Sequence, residues 1–179
     1  MTMIALDVGG YMGKYIKIFA EMGCDDIYCF EPLYYKECEH VSKQLQNNTV
    51  NIHLYESVLY DDGEYKITID TDSSSVFGDV SNKPHKNTTG ISLKNFCSKK
   101  NLNHFDYIKI NCEGSEYKLL QDTHDLDITF EEIFVQFHET LMKDETFSER
   151  DRILNLFKKM DIIFMDTKDF HKMILSGVP

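Results

Sequence analysis

Short apolar runs alternate along this chain with stretches whose apolar residues recur every three or four positions. The first pattern marks strands and the second marks helices with one buried face. Met3-Ile4-Ala5-Leu6 opens a strand over 3–8, and Tyr15-Ile16-Ile18-Phe19-Met22 follows as a helix over 13–22. A second strand over 26–31, a helix over 34–46 and a strand over 50–58 come next. Asp61-Asp62-Gly63 reads as a turn, and 64–70 alternates like an exposed strand. Residues 71–88, rich in Ser, Asp, Asn and Lys, read as a long irregular loop beside a ligand crevice. Beyond it we expect a helix over 93–101, a strand over 107–110, a helix over 115–122, a strand over 133–137 and a helix over 147–160. Residues 161–165 and 172–175 form a closing antiparallel hairpin. Strands alternating with helices predict an α/β fold with a mostly parallel sheet, here of seven strands with helices on both faces. No repeat or linker composition interrupts the pattern, so 1–179 is expected to be a single domain.

The junction of first strand and first helix is Asp7-Val8-Gly9-Gly10-Tyr11-Met12-Gly13. Strand, glycine turn and helix form the layout of a nucleotide-binding crossover. The second strand ends in Glu31, where a carboxylate can accept hydrogen bonds from a ribose diol. Together they suggest an adenosine-containing ligand. Val8 stands where a dinucleotide fingerprint has its first glycine, and Asp7 would repel a pyrophosphate. An acid at that place suits a cationic ligand such as S-adenosylmethionine. The plain alternative is that Asp7 caps the next helix and the glycines make an ordinary turn.

Composition narrows the classes. The chain has 179 residues, 42% of them hydrophobic and 27% charged, and a net charge of −11. Phosphate neutralisation needs surplus Lys and Arg, so a general nucleic-acid binder is disfavoured. No apolar run reaches the roughly 18 residues of a membrane span. The first strand begins at once, which leaves no room for a signal peptide and predicts a cytoplasmic protein. Cys24, Cys29, Cys38, Cys97 and Cys112 are odd in number and lack metal-ligand spacing, so free thiols in a reducing compartment are expected.

Three segments together resemble the FkbM-type family of S-adenosylmethionine-dependent methyltransferases. The turn 7–13 looks like that family's D-V-G-A-N-x-G. Phe30-Glu31-Pro32 looks like its second-strand acid and proline. Asp106-Tyr107-Ile108-Lys109-Ile110-Asn111-Cys112-Glu113-Gly114-Ser115-Glu116 looks like its D-x-I-K-I-D-V-E-G-x-E segment. The closing hairpin is similar to strands six and seven of class I methyltransferases. The resemblance implies a Rossmann-like class I fold and methyl transfer to a hydroxyl, often of a sugar or glycan. It implies cofactor contacts at Asp7, Gly9, Gly10, Tyr11, Gly13, Glu31, Pro32 and Ser57. Two positions depart from the family pattern: Tyr11 replaces the usual Asn, and Asn111 replaces the usual Asp. The family also has more chain before its first strand.

Alcohol methylation requires removal of a proton, by a general base or a metal. His138, just past the 133–137 strand and beside Gln136 and Glu139, is the candidate base, with a hydrogen-bonded structural histidine as the alternative. Glu113 is read as a ligand contact, a metal ligand or a helix cap. Asn111 can donate a hydrogen bond but cannot act as base. Some sugar O-methyltransferases related at the fold level use magnesium held by carboxylates, so Mg²⁺ is a possible second cofactor, weakened here by Asn111. Two readings from other classes stay open: a non-catalytic adenosine-ligand module within a larger assembly, and a nicotinamide-dependent reductase.

Overall fold

The computed structural model describes residues 2–45, 50–69, 83–138, 147–157, 160–164 and 170–175. Ten strands and five helices occur among them: β1 Ile4–Val8, α1 Lys14–Glu21, β2 Asp26–Phe30, α2 Tyr35–Leu45, β3 Asn51–Tyr55, β4 Ser57–Tyr60, β5 Gly63–Thr68, β6 His85–Ser92, α3 Leu93–Lys100, β7 His104–Ile110, α4 Glu116–Asp125, β8 Thr129–Gln136, α5 Phe147–Leu156, β9 Met160–Phe164 and β10 Phe170–Leu175.

The main sheet has seven strands in the order β3-β2-β1-β7-β8-β10-β9. The first five run parallel, and β10 is antiparallel to both β8 and β9. This is the expected Rossmann-like mixed sheet with the hairpin at one edge. Alternation along each strand sorts the core into two layers. Leu6, Val8, Tyr28, Phe30, Ile108, Ile110, Ile133 and Val135 pack with Phe96, Leu119 and Ile153 from α3, α4 and α5. Ala5 and Ile27 face the other way, onto Phe19 of α1. Cys29 continues that face against Ile16, Cys38 and Val41.

A second sheet, β4-β6-β5, was not expected. The run 50–58 divides at Glu56, and β4 leaves the main sheet to pair in parallel with β6, Ser57 opposite Thr89. Residues 85–88, expected as loop, begin β6 and pair with β5. The rest of that expected loop, 70–82, lies outside the described residues. Gly90 is required here, because a Cβ would stand 2.1 Å from the Asp61 carbonyl oxygen. Lys86 ties the small sheet to the tip of β2, donating to the Pro32 carbonyl (2.7 Å) and pairing with Glu56 (2.6 Å). Asp62 accepts from Ser92 N–H, Ser92 Oγ and Asn95 Nδ2, which fixes the start of α3.

Among the described residues no helix is long and apolar enough to cross a membrane. All five cysteines are free.

Candidate functional site

Register aligns the carboxyl ends of the parallel strands. Val8 is opposite both Phe30 and Ile110, Phe30 opposite Tyr55, and Ile110 opposite Val135. The next residues, Gly9, Glu31, Glu56, Asn111 and Gln136, therefore share one edge. Ligands of such sheets bind beyond this edge. The sequence-selected residues Asn111, Glu113 and His138 thus come together with the glycine turn, Glu31 and Ser57.

The turn is shaped by close approach. Gly9 has φ of 80°, and a Cβ there would lie 1.8 Å from the Asn111 carbonyl oxygen. Gly9 and Gly10 both donate backbone N–H to the Phe30 carbonyl, at 3.0 and 3.2 Å, and Gly13 N–H donates to Gly10. Tyr11 is left-handed (φ 49°) and exposed, with its ring edge-on to Tyr34 at 4.8 Å. A non-glycine residue there costs roughly 1–2 kcal/mol. Asn, common at this place in the family pattern, bears that conformation more easily.

Glu31 offsets the strain. Its Oε2 accepts from Tyr11 N–H at 2.7 Å, and its Oε1 accepts from Leu33 and Tyr34 N–H at 2.7 and 2.9 Å. The expected ribose acceptor is thus first a clamp on two backbone segments. A carboxylate offers about four lone-pair sites. Three are used, and Oε2 keeps one for a ligand hydroxyl. Ser57 Oγ, buried just beyond β3, has no hydrogen-bond partner among the described residues. A spare carboxylate site and an orphaned hydroxyl suit the diol and polar edge of an adenosine. Pro32 follows Glu31, and its carbonyl is held by Lys86.

Asp7 requires a correction. It is fully buried and does not open onto the crevice. Alternation turns its side chain toward α1, the face of Ala5 and Phe19. A carboxylate cannot remain ionised there unpaired. Its cross-strand register partner is Lys109, whose Nζ lies 3.1 Å from Asp7 Oδ1. That contact is an ion pair rather than an aligned hydrogen bond, since Oδ1 has no hydrogen-bond partner among the described residues. Lys109 Nζ also donates to the carbonyls of Val8 (3.1 Å) and Gly9, and sits over the Tyr15 ring. Asp7 therefore holds the lysine that pins the start of the turn, instead of facing a cationic ligand. Beneath the turn, Cys29 Sγ lies 3.7 Å from Asp7 Oδ2, and Cys38 Sγ donates to the Tyr11 carbonyl at 3.1 Å. A hydrogen bond with Cys38 and then burial push the Cys29 thiol well up.

At the other end of the edge, Asn111 Nδ2 donates to Gln136 Oε1 at 3.0 Å. His138 stands between two carboxylates: Nδ1 is 2.8 Å from Glu116 Oε1, and Nε2 is 3.2 Å from Glu113 Oε1. Glu116 is fully buried at the first position of α4. It also accepts from Cys112 N–H (3.1 Å) and Gly114 N–H (2.8 Å). Glu116 thus ties the 112–114 backbone to the start of α4, and neither it nor Glu113 caps the helix, whose N-cap Ser115 makes no side-chain cap hydrogen bond. Glu113 has φ of 55° and is half-buried. Burial raises its carboxyl above the ordinary range, while His138 lowers it and Glu116 raises it. Glu139, named as a neighbour of His138, lies outside the described residues. Lys109 and Glu116 were part of the motif on which the resemblance rests, but their roles were not read from it. The available signal was charge inside an otherwise apolar strand and a carboxylate three residues past Glu113.

No three His, Cys, Asp or Glu side chains are grouped as metal ligands among the described residues. Glu113 and Glu116 face His138, and Asn111 faces Gln136, so the described residues of the edge do not form the oxygen cage that magnesium takes.

With this geometry in hand, comparison with known proteins is decisive at one point: the model of the methyltransferase FkbM domain matches residues 7–171. The chain belongs to the FkbM methyltransferase family. None of the curated proteins compared with it matches. Two solved structures are similar at low identity. A ribosomal protein L11 methylase from Lactobacillus delbrueckii subsp. bulgaricus is 11% identical, with a TM-score of 0.45, over 97% of this chain and 69% of that one. The N-terminal domain of human METTL16, in complex with SAH, is 9% identical, with a TM-score of 0.46, over 99% of this chain and 63% of that one.

Proposed function

We propose that this FkbM-family chain is an S-adenosylmethionine-dependent O-methyltransferase acting on a hydroxyl of a sugar or glycan. The observation that carries the reading is His138, held between Glu113 and Glu116 at the strand edge that also bears the glycine turn and Glu31. The turn Gly9–Gly13, Glu31, Pro32 and Ser57 would hold the cofactor. When bound, S-adenosylmethionine supplies a methyl group already activated on a sulfonium. The protein's part is then alignment and proton handling. Asn111 and Gln136 line the approach beside His138 and offer neutral polar groups to an acceptor. His138 accepts the hydroxyl proton or orients the acceptor oxygen. The sugar class rests on the family, and the net charge of −11 disfavours a nucleic-acid acceptor.

Titration calorimetry with S-adenosylmethionine tests the cofactor. A panel of glycans and nucleotide sugars, read by mass spectrometry, tests the acceptor. His138→Ala should lower turnover by about 10²–10⁴ at near-normal cofactor affinity. Methylation of amines or nucleic acid alone would refute the hydroxyl reading. Cofactor binding with no transfer to any acceptor would favour a non-catalytic module, a reading that Asn111 and its bond to Gln136 support.

A further inference from the structure

We propose that Glu116 is the positioning residue for His138, and that Glu113 holds the place at Nε2 which the acceptor hydroxyl takes. The inference rests on the methyl-transfer reading and deepens it.

Glu116 is built to stay. It has no solvent exposure, and its two oxygens meet two backbone N–H groups and His138 Nδ1, at 2.8–3.1 Å. One carboxylate thereby fixes both the 112–114 segment and the imidazole. An ionised carboxylate only accepts hydrogen bonds, so Nδ1 must carry a proton. In the neutral ring this leaves the lone pair on Nε2. The same division of labour orients histidine in hydrolase triads, where a buried carboxylate fixes the tautomer. Glu113 differs in each respect. It is partly exposed, its contact with Nε2 is longer at 3.2 Å, and its charged form is disfavoured by burial. The contact at Nε2 needs one proton between the two groups, on the ring or on the carboxyl. A hydroxyl arriving at Nε2 supplies that proton itself and displaces Glu113.

The step balances with these groups. The hydroxyl proton passes to Nε2, and an oxygen lone pair forms the new bond to the methyl carbon. The carbon–sulfur pair returns to sulfur, which leaves as a neutral thioether. The positive charge lost from sulfur ends on the imidazole, next to Glu116.

The first test needs no turnover. Long-range ¹⁵N–¹H correlation spectra of cofactor-free protein should show His138 protonated at Nδ1 in wild type and in Glu113→Gln. The Nδ1–H signal should be lost or strongly shifted in Glu116→Gln. A neutral Nε2–H tautomer in wild type overturns the proposal, and so does a signal that depends on Glu113 rather than Glu116. The wild-type spectrum decides even if Glu116→Gln does not fold. In turnover, Glu116→Gln should lower kcat by about 10²–10⁴, the range of losses when a triad carboxylate is neutralised or a positioned base removed. KM for the acceptor should change much less. Glu113→Gln should cost at least about tenfold less in kcat, and Glu116→Asp should recover part of the loss. Active wild type with Glu116→Gln equally active sinks the positioning role alone. Wild type that shows the Nδ1–H signal but methylates nothing sinks the methyl-transfer reading and leaves the ring orientation standing.

Discussion

Replacing Lys109 by Met probes the pair beneath the glycine turn. The ammonium is almost wholly buried, and it meets Asp7 Oδ1 at 3.1 Å, the Val8 carbonyl at 3.1 Å and the Gly9 carbonyl. Methionine fills most of the volume but offers none of these contacts. Asp7 would be left with the Cys29 thiol at 3.7 Å, a weak donor. Removing one partner of a buried ion pair costs roughly 3–5 kcal/mol. The whole stability of such a domain is roughly 5–15 kcal/mol. Lys109→Met should therefore lose about 3–5 kcal/mol in urea unfolding followed by far-ultraviolet circular dichroism at neutral pH. Much of that loss is the stranded carboxylate, so Asp7→Asn with Lys109→Met should be more stable than the sum of the single changes by about 1–3 kcal/mol. The charge argument is wrong if Lys109→Met costs under about 1 kcal/mol, or if the two changes add. Cofactor affinity should separate from stability. The double variant still lacks the clamp on the Val8 and Gly9 carbonyls, so its affinity should stay at least about tenfold below wild type.

Two further outcomes follow from the same site. Glu31→Gln keeps the size of the side chain but turns a donor toward backbone N–H groups, so S-adenosylmethionine affinity measured by calorimetry should fall by about tenfold or more. Wild-type affinity in a folded Glu31→Gln protein would remove Glu31 from the cofactor site. Glu113, raised in the folded state above the ordinary glutamate value of 4.5, binds its proton more tightly when folded. Folding stability is therefore lost as pH rises from about 4.5 through the folded-state value. Glu113→Gln should raise Tm near neutral pH, with a gap that closes below about pH 4.5. A gap of constant size across that range would contradict the burial argument.

The elements that carry the site were legible because each has a local signature. The apolar run 3–6, the glycines at 9, 10 and 13 and the acid at 31 announce strand, turn and second strand by composition alone. The small sheet was hidden because its boundaries are set by pairing. His53-Leu54-Tyr55-Glu56-Ser57-Val58 continues as one strand pattern with no Gly or Pro to divide it. Only the pairing of Ser57 with Thr89 makes β4 leave. Thr88-Thr89-Gly90 lies within polar sequence and forms strand because β5 and β4 flank it. Asp7 was misread for a similar reason. Alternation puts the Asp7 side chain on the face of Ala5, but no local pattern shows that β7 brings a lysine beside β1. His138 was singled out from its place after an apolar run, whereas the two carboxylates on it come from a segment over twenty residues earlier.

The lysine under the turn also sets an order of assembly. The bond from Lys109 Nζ to the Val8 carbonyl spans 101 positions of sequence. A chain emerging from the ribosome presents β1, the glycine turn and Glu31 early, but Asp7 and the Val8 and Gly9 carbonyls stay without their cation until β7 has been made. Loop closure over that distance precedes the contact. The glycine turn is therefore finished late, by a residue from the opposite half of the chain, and a fragment ending before residue 104 would contain the whole glycine motif without the cation that holds its first carbonyls.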